Sequence, residues 1–192
     1  MYRFIALILL CCSAFTYAQA PRLDRPLPAL QIADRGELVM QGEEFSYRPW
    51  RSDVAPGVVH VLQYFPATMG DSKMFRPLTD SLQENLEQGS FHVTTILNLD
   101  EALWGTGSFV MSEVKSSKRE HPGSTMVLDE EGLGRDTWEL GRKGAVLAIL
   151  DRQGLVRSLS RGELSEQEVA EKVALVRSLQ GDSLANAGPR SR

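Results

Sequence analysis

An α/β domain, with a central mixed sheet flanked by helices, is the fold class this sequence predicts. Three observations carry that prediction. Residues 58–65 are an almost unbroken run of β-branched, aromatic and aliphatic side chains, as expected of a central strand covered on both faces. Apolar residues then recur at Phe75, Leu78, Leu82 and Leu86, at steps of three and four, as on the buried stripe of a helix. Strand and helix patterns go on alternating downstream, which implies parallel pairing through right-handed crossovers.

The chain opens with a leader. Met1-Tyr2-Arg3 is a short basic stretch, residues 4–12 are apolar, and residues 13–20 are small and polar. Cleavage patterns end at Ala18 and at Ala20. Proline directly after a scissile bond is a poor peptidase substrate, so the cut after Ala18 is favoured over the one before Pro21. The apolar run is far shorter than the ~20 residues that span a bilayer, so no stable membrane insertion is expected after cleavage. The organisation expected is a signal peptide at residues 1–18, one domain at 19–180 and a polar tail at 181–192.

Within the domain, residues 21–28 are proline-rich and read as an extended lead-in. Residues 30–32 and 37–40 read as a β-hairpin turning at Asp34-Arg35-Gly36, with Gly36 in the permissive position. Residues 43–51 read as a loop or edge strand. After the central strand, residues 72–88 read as a helix ended by Gly89. Residues 91–98 are a second parallel strand, 108–119 a helix and 124–129 a third strand. A short helical piece is expected at 136–140, around Trp138. Residues 145–150 and 155–159 flank Asp151-Arg152-Gln153-Gly154 as a hairpin. The last helix starts on a capping box of Ser165 with Glu168 and a staple of Leu164 on Val169, and Gly181 is its expected end. The tail beyond is small and polar and is expected to be disordered.

Composition narrows the function classes. The 192 residues carry a formal net charge of −4, and removal of Arg3 with the leader leaves −5. A mildly acidic domain has no bulk attraction to nucleic acid. A domain of this size stands on its own core without disulfides. The two cysteines, Cys11 and Cys12, both lie in the leader.

Three strands with helical crossovers, a closing antiparallel hairpin and a final helix make a thioredoxin-like pattern. The leading hairpin is the addition found in peroxiredoxin-like and exported thiol-reductase-like members. Thioredoxins place C-x-x-C between the end of the central strand and the start of a helix, whose N-terminus stabilises a thiolate. Aligned without gaps, those two positions hold Met69 and Ser72 here. The fold also places a cis-proline just before the strand that opens the last hairpin. That region is Gly144-Ala145-Val146, without proline.

One family matches more closely. The matching residues are Asp34-Arg35-Gly36-Glu37-Leu38-Val39, Phe45-Ser46-Tyr47, Asn98 with Asp100 and Ala102, and Gly105-Thr106-Gly107. Further along come Phe109-Val110, Gly132, Ala145-Val146, Leu150-Asp151 with Gly154 and Val156, and Gly162 with Leu164. In their spacing the chain resembles the YtfJ family of small exported bacterial proteins. The resemblance implies a periplasmic protein with a thioredoxin-like fold and no established activity. That family has carried a label as a transcriptional regulator, which export and an acidic charge argue against.

The candidate site follows from the fold. Phe65, Met69, Gly70, Asp71, Ser72, Ala145 and Val146 mark the face where thioredoxin-like proteins grip extended chains by strand-like pairing. Asp71 or Ser72 would also serve as an ordinary helix cap. A Ser72 nucleophile would need a histidine base, and His60, His92 and His121 are scattered without triad spacing. Asp100-Glu101 and Asp129-Glu130-Glu131 read as solvated turn residues, without the alternation of an EF-hand loop. Gly105-Thr106-Gly107 is too short for a phosphate loop. There is no H-x-x-x-H and no paired Cys/His cluster, so neither metal nor cofactor is expected. The function expected is a non-catalytic binding or adaptor role toward a peptide or protein of the bacterial envelope. The alternative is an enzyme of non-thiol chemistry using Asp71, Ser72 or Asp100.

Overall fold

The apolar run at 58–65 folds as a strand, Val59–Pro66, with every residue buried. It lies inside a seven-stranded sheet. The structure, a computed structural model, describes residues 18–53, 57–68, 73–102 and 107–186. In chain order the elements are β1 (Gln31–Gln41), β2 (Glu44–Arg51), β3 (Val59–Pro66), α1 (Arg76–Asn85), β4 (Phe91–Asn98) and α2 (Gly107–Glu120). Then come β5 (Thr125–Asp129), α3 (Leu133–Thr137), β6 (Val146–Leu150), β7 (Val156–Ser160) and α4 (Glu166–Asn186). The sheet order is β2-β1-β5-β4-β3-β6-β7. β3, β4 and β5 are parallel neighbours, as their helical crossovers require, while β6 runs antiparallel to β3 and to β7.

Period-two alternation along β3 sorts its side chains onto two faces. Val61 and Phe65 join Leu78 and Leu82 of α1, Val114 of α2, and Val173 and Val176 of α4 in one core. Leu62 and Tyr64 join Ile96, Val127, Trp138 and Leu140 in a second core on the opposite face. Among the described residues, the five-residue α3, the stretch after it with Trp138 and Leu140, and the lead-in cover that second face. The lead-in docks: the Asp24 N–H donates to the Val156 carbonyl at 2.8 Å, and the Val156 N–H donates to the Arg25 carbonyl at 2.9 Å. The Trp138 indole N–H reaches the Pro28 carbonyl at 2.9 Å.

Four expectations are corrected. The first hairpin does not turn at Asp34-Arg35-Gly36. β1 runs through that stretch, and its register against β2 shifts between Ile32 and Glu37. The turn lies at Gly42-Glu43, between the paired Gln41 and Glu44, with Gly42 at φ 60°. A bulge and a turn both call for a glycine at positive φ, so one sequence signal served for either. α1 begins at Arg76, with Pro77 in its first turn, and ends at Asn85 rather than near Gly89. α3 lies earlier than 136–140 and leaves Trp138 as its C-cap. α4 runs on through Gly181 to Asn186, because a lone glycine lowers helix stability by only about 1 kcal/mol.

The capping box of α4 is formed. The Ser165 N–H donates to Glu168 Oε2 at 2.9 Å, and the Glu168 N–H returns to Ser165 Oγ at 3.3 Å. Residues 1–17, the stretch Met69-Gly70-Asp71-Ser72, the residues Trp104, Gly105 and Thr106, and the last six residues lie outside the described residues.

Candidate functional site

The C-terminal ends of β3, β4 and β5 meet the approach to β6 along one edge of the sheet. Thioredoxin-like folds keep their chemistry at this edge. β3 continues past Pro66 into Ala67, whose N–H donates to the Asn98 carbonyl at 2.8 Å. Of the residues expected to form a binding face, Met69, Gly70, Asp71 and Ser72 lie outside the described residues. The other three turn inward. Phe65 is 4 % exposed and packs edge-on against Phe75 at 5.9 Å. Ala145 and Val146 are buried, and Val146 pairs with Tyr64 across β3 and β6. At these three positions the edge presents no exposed apolar side chain.

A closed polar network occupies the same edge. Asp129, at the end of β5, is fully buried. Its carboxylate accepts the N–H groups of Leu133 and Gly134, at 2.9 and 2.8 Å, and so caps α3. The Tyr64 hydroxyl donates to the same carboxylate at 3.0 Å and accepts the Arg135 N–H at 2.9 Å. Burial pushes the Tyr64 phenol far above its ordinary range, and the Asp129 charge adds to the effect. The phenol therefore keeps its proton and stays a donor. Burial also pushes the Asp129 carboxyl up, against the pull of its three donors. Gly134 is required here, since a side chain would strike the Tyr64 ring.

The network extends outward through charge. The Arg135 guanidinium pairs with Asp136 at 2.8 Å and with Asp100, and the hydrogen bonds to these two carboxylates hold it above its usual range. Asn98, fully buried, accepts the Asp100 N–H at 3.0 Å, and its amide lies 3.5 Å from Glu101 Oε2. The other oxygen of Glu101 accepts the Lys143 N–H at 2.7 Å, tying the β4 loop to the approach to β6. Asp129 and Glu101 are thus structural acceptors, not solvated turn residues. The signal was present in the sequence as an acid at a strand end followed by Gly132-Leu133, a helix-capping arrangement.

Sequence spacing also missed a convergence. His60, His92 and His121 line one groove of about 900 Å³ at the N-terminal ends of the parallel strands. The rings of His60 and His92 stand 5.4 Å apart on neighbouring strands, in direct register. His92 Nε2 meets Thr125 Oγ1 at 2.9 Å, and His121 Nδ1 meets Gln83 Nε2 at 3.2 Å. Only the parallel pairing of β3 with β4 brings the first two together.

Comparison with known proteins sets this geometry in context. The profile of a family described as "Bacterial protein of unknown function (YtfJ_HI0045)" matches residues 22–179. The Uncharacterized protein YtfJ of Escherichia coli K12 is 32% identical over 154 residues, covering 80% of this chain and 84% of its own. An Uncharacterized protein of Haemophilus influenzae Rd is 29% identical over 168 residues, covering 87% of this chain and 91% of its own. Among solved structures, a protein described provisionally as a disulfide isomerase, from Bacteroides thetaiotaomicron, superposes with a TM-score of 0.56. It covers 88% of this chain and 97% of its own at 18% identity, a likeness of fold.

Proposed function

We propose that this chain, which belongs to the YtfJ family, is a non-catalytic binding protein. It keeps a thioredoxin-like scaffold and works by contact, in the bacterial periplasm, once its leader is removed. The observation that carries the reading is the state of the edge where thioredoxin-like proteins do their chemistry. Tyr64, Asp100, Asp129 and Arg135 are engaged with one another there, and the phenol is held protonated. The family match starts at residue 22, so both cysteines, at 11 and 12, precede it. A thiolate is the attacking species in disulfide exchange, and the matched region has no thiol to supply it.

The partner in this reading is an extended peptide or protein segment of the envelope. It would lie along the approach to β6 at Gly144-Ala145. Asp100, named in the alternative enzymatic reading, is held by Arg135. The test uses protein purified from the periplasm. It is expected to reduce neither insulin nor peroxide and to show no titratable thiol. Crosslinking from photoreactive residues placed at the exposed Lys143 and at Thr68 is expected to trap one envelope protein. Turnover in either assay, or a leader still attached after export, would end this reading.

A further inference from the structure

A second site lies on the helix face of the sheet, away from the edge discussed above. α1 and α2 flank a cleft of about 130 Å³ that reaches down to β3, β4 and β5. Its floor holds an unusual side chain. Gln63 sits on the central strand, 7 % exposed, among apolar neighbours. One end of its amide is engaged, with Nε2 2.6 Å from Thr95 Oγ1. The other end, Oε1, is buried and has no hydrogen-bond partner among the described residues. A buried polar atom left without a partner costs about 1–3 kcal/mol, and such atoms are the exception in folded proteins. An apolar residue at position 63 would remove that cost, so the amide is best explained by something that meets it.

The walls say what shape that is. Phe65, Phe75, Leu97 and Met126 line the cleft. Its volume is close to that of an engineered apolar cavity of about 150 Å³ that takes up benzene. Charged groups line it as well, Lys73 just ahead of α1, Arg76 and Asp80 on α1 and Glu113 on α2, and they carry both signs, so they select no net charge. We infer that the cleft between α1 and α2 is a binding site for a small neutral ligand with one aromatic ring and a hydroxyl, a phenol, whose hydroxyl bonds to the Gln63 amide once that amide turns its covered, unpartnered end toward the cleft. A hydroxyl suits a primary amide at either end, donating to the oxygen or accepting from the nitrogen. Ring contacts with Phe65 and Phe75 favour an aromatic body over an aliphatic one.

The decisive probes are phenol and toluene, matched in shape and different only in the hydroxyl. They are titrated into the ¹⁵N-labelled protein and followed on its side-chain amide signals. Phenol is expected to bind about tenfold more tightly than toluene, the worth of one recovered buried hydrogen bond. It is expected to shift the Gln63 side-chain amide resonances, which toluene leaves in place. 2-Naphthol, with a second ring, is expected to bind more weakly than phenol. In Gln63→Met the two single-ring probes should bind alike. Equal affinities in the unaltered protein would overturn the inference. So would the absence of any saturable binding, which would mark a cleft that holds water alone. The unaltered protein decides by itself if Gln63→Met does not fold. Neither result bears on the peptide-binding edge, so the two readings fail separately.

Discussion

Tyr64 joins three parts of the molecule through one oxygen. Its ring packs at 5.8 Å, edge-on, against Trp138, and its hydroxyl sits between the Asp129 carboxylate and the Arg135 N–H. The ring belongs to the second core, and its burial was legible from the apolar run. The hydroxyl's role was not, because Asp129 is 65 residues away in sequence. Tyr64→Phe keeps the packing and strips a donor from a buried carboxylate. It is expected to cost about 1–3 kcal/mol in urea-induced unfolding, without change in the m-value. A loss below about 0.5 kcal/mol would show that solvent reaches Asp129 and replaces the phenol.

At the scale of elements, β3 was readable to within a residue because a strand buried on both faces needs a continuous apolar run, and β4 because apolar residues flank its two threonines. β1 was not, and the reason is geometric. Ile32 and Leu38 are an even number of residues apart and would share a face in a regular strand. Yet Ile32 packs in the second core and Leu38 in the first. Five residues of β1 span what two residues of β2 span, so the bulge inserts an odd number and turns the strand over. Gly36 makes this possible. It holds φ 66°, and a side chain there would strike the Arg48 carbonyl. Gly42 has a similar φ of 60° but nothing within 4 Å. Gly42→Ala should therefore cost about 1–2 kcal/mol, the left-handed backbone penalty alone. Gly36→Ala should cost a further 1–3 kcal/mol or so for overpacking. Equal losses for the two variants in chemical denaturation would show that the bulge yields to a methyl group.

The whole molecule sums the titrations of a base and of an acid, both shifted downward in the folded state. Burial lowers the His92 imidazole below its ordinary 6.5, with Lys118 adding to the effect and Glu37 working against it. His60 on β3 and Thr125 on β5 complete its surroundings. The unfolded chain therefore binds this proton more readily, and stability falls as pH drops below about 6.5. Asp151 behaves differently. Burial alone would raise its carboxyl, but the Leu155 N–H, the Arg157 guanidinium and the Gln153 N–H together hold it below its ordinary 3.8. Its contribution is present above pH 3.8 and is lost as pH falls through its folded value. His92 and Asp151 should thus lower the urea midpoint in two stages on acidification, with Asp129, whose carboxyl burial raises, working against the second. His92→Asn should flatten the first stage and leave the second. A first stage of unchanged depth in that variant would assign it to another group.

What the sequence determined by itself was the class of fold, the order of its elements and the family. These rest on local periodicity, capping and spacing, which a single strand or helix expresses before it meets any other. Tertiary structure alone decided which polar groups share a site. The Tyr64–Asp129–Arg135 network, the pairing of the His60 and His92 rings and the half-satisfied amide of Gln63 join residues distant in the chain. Their contacts depend on strand order and register, and those are set when the sheet assembles around both cores at once.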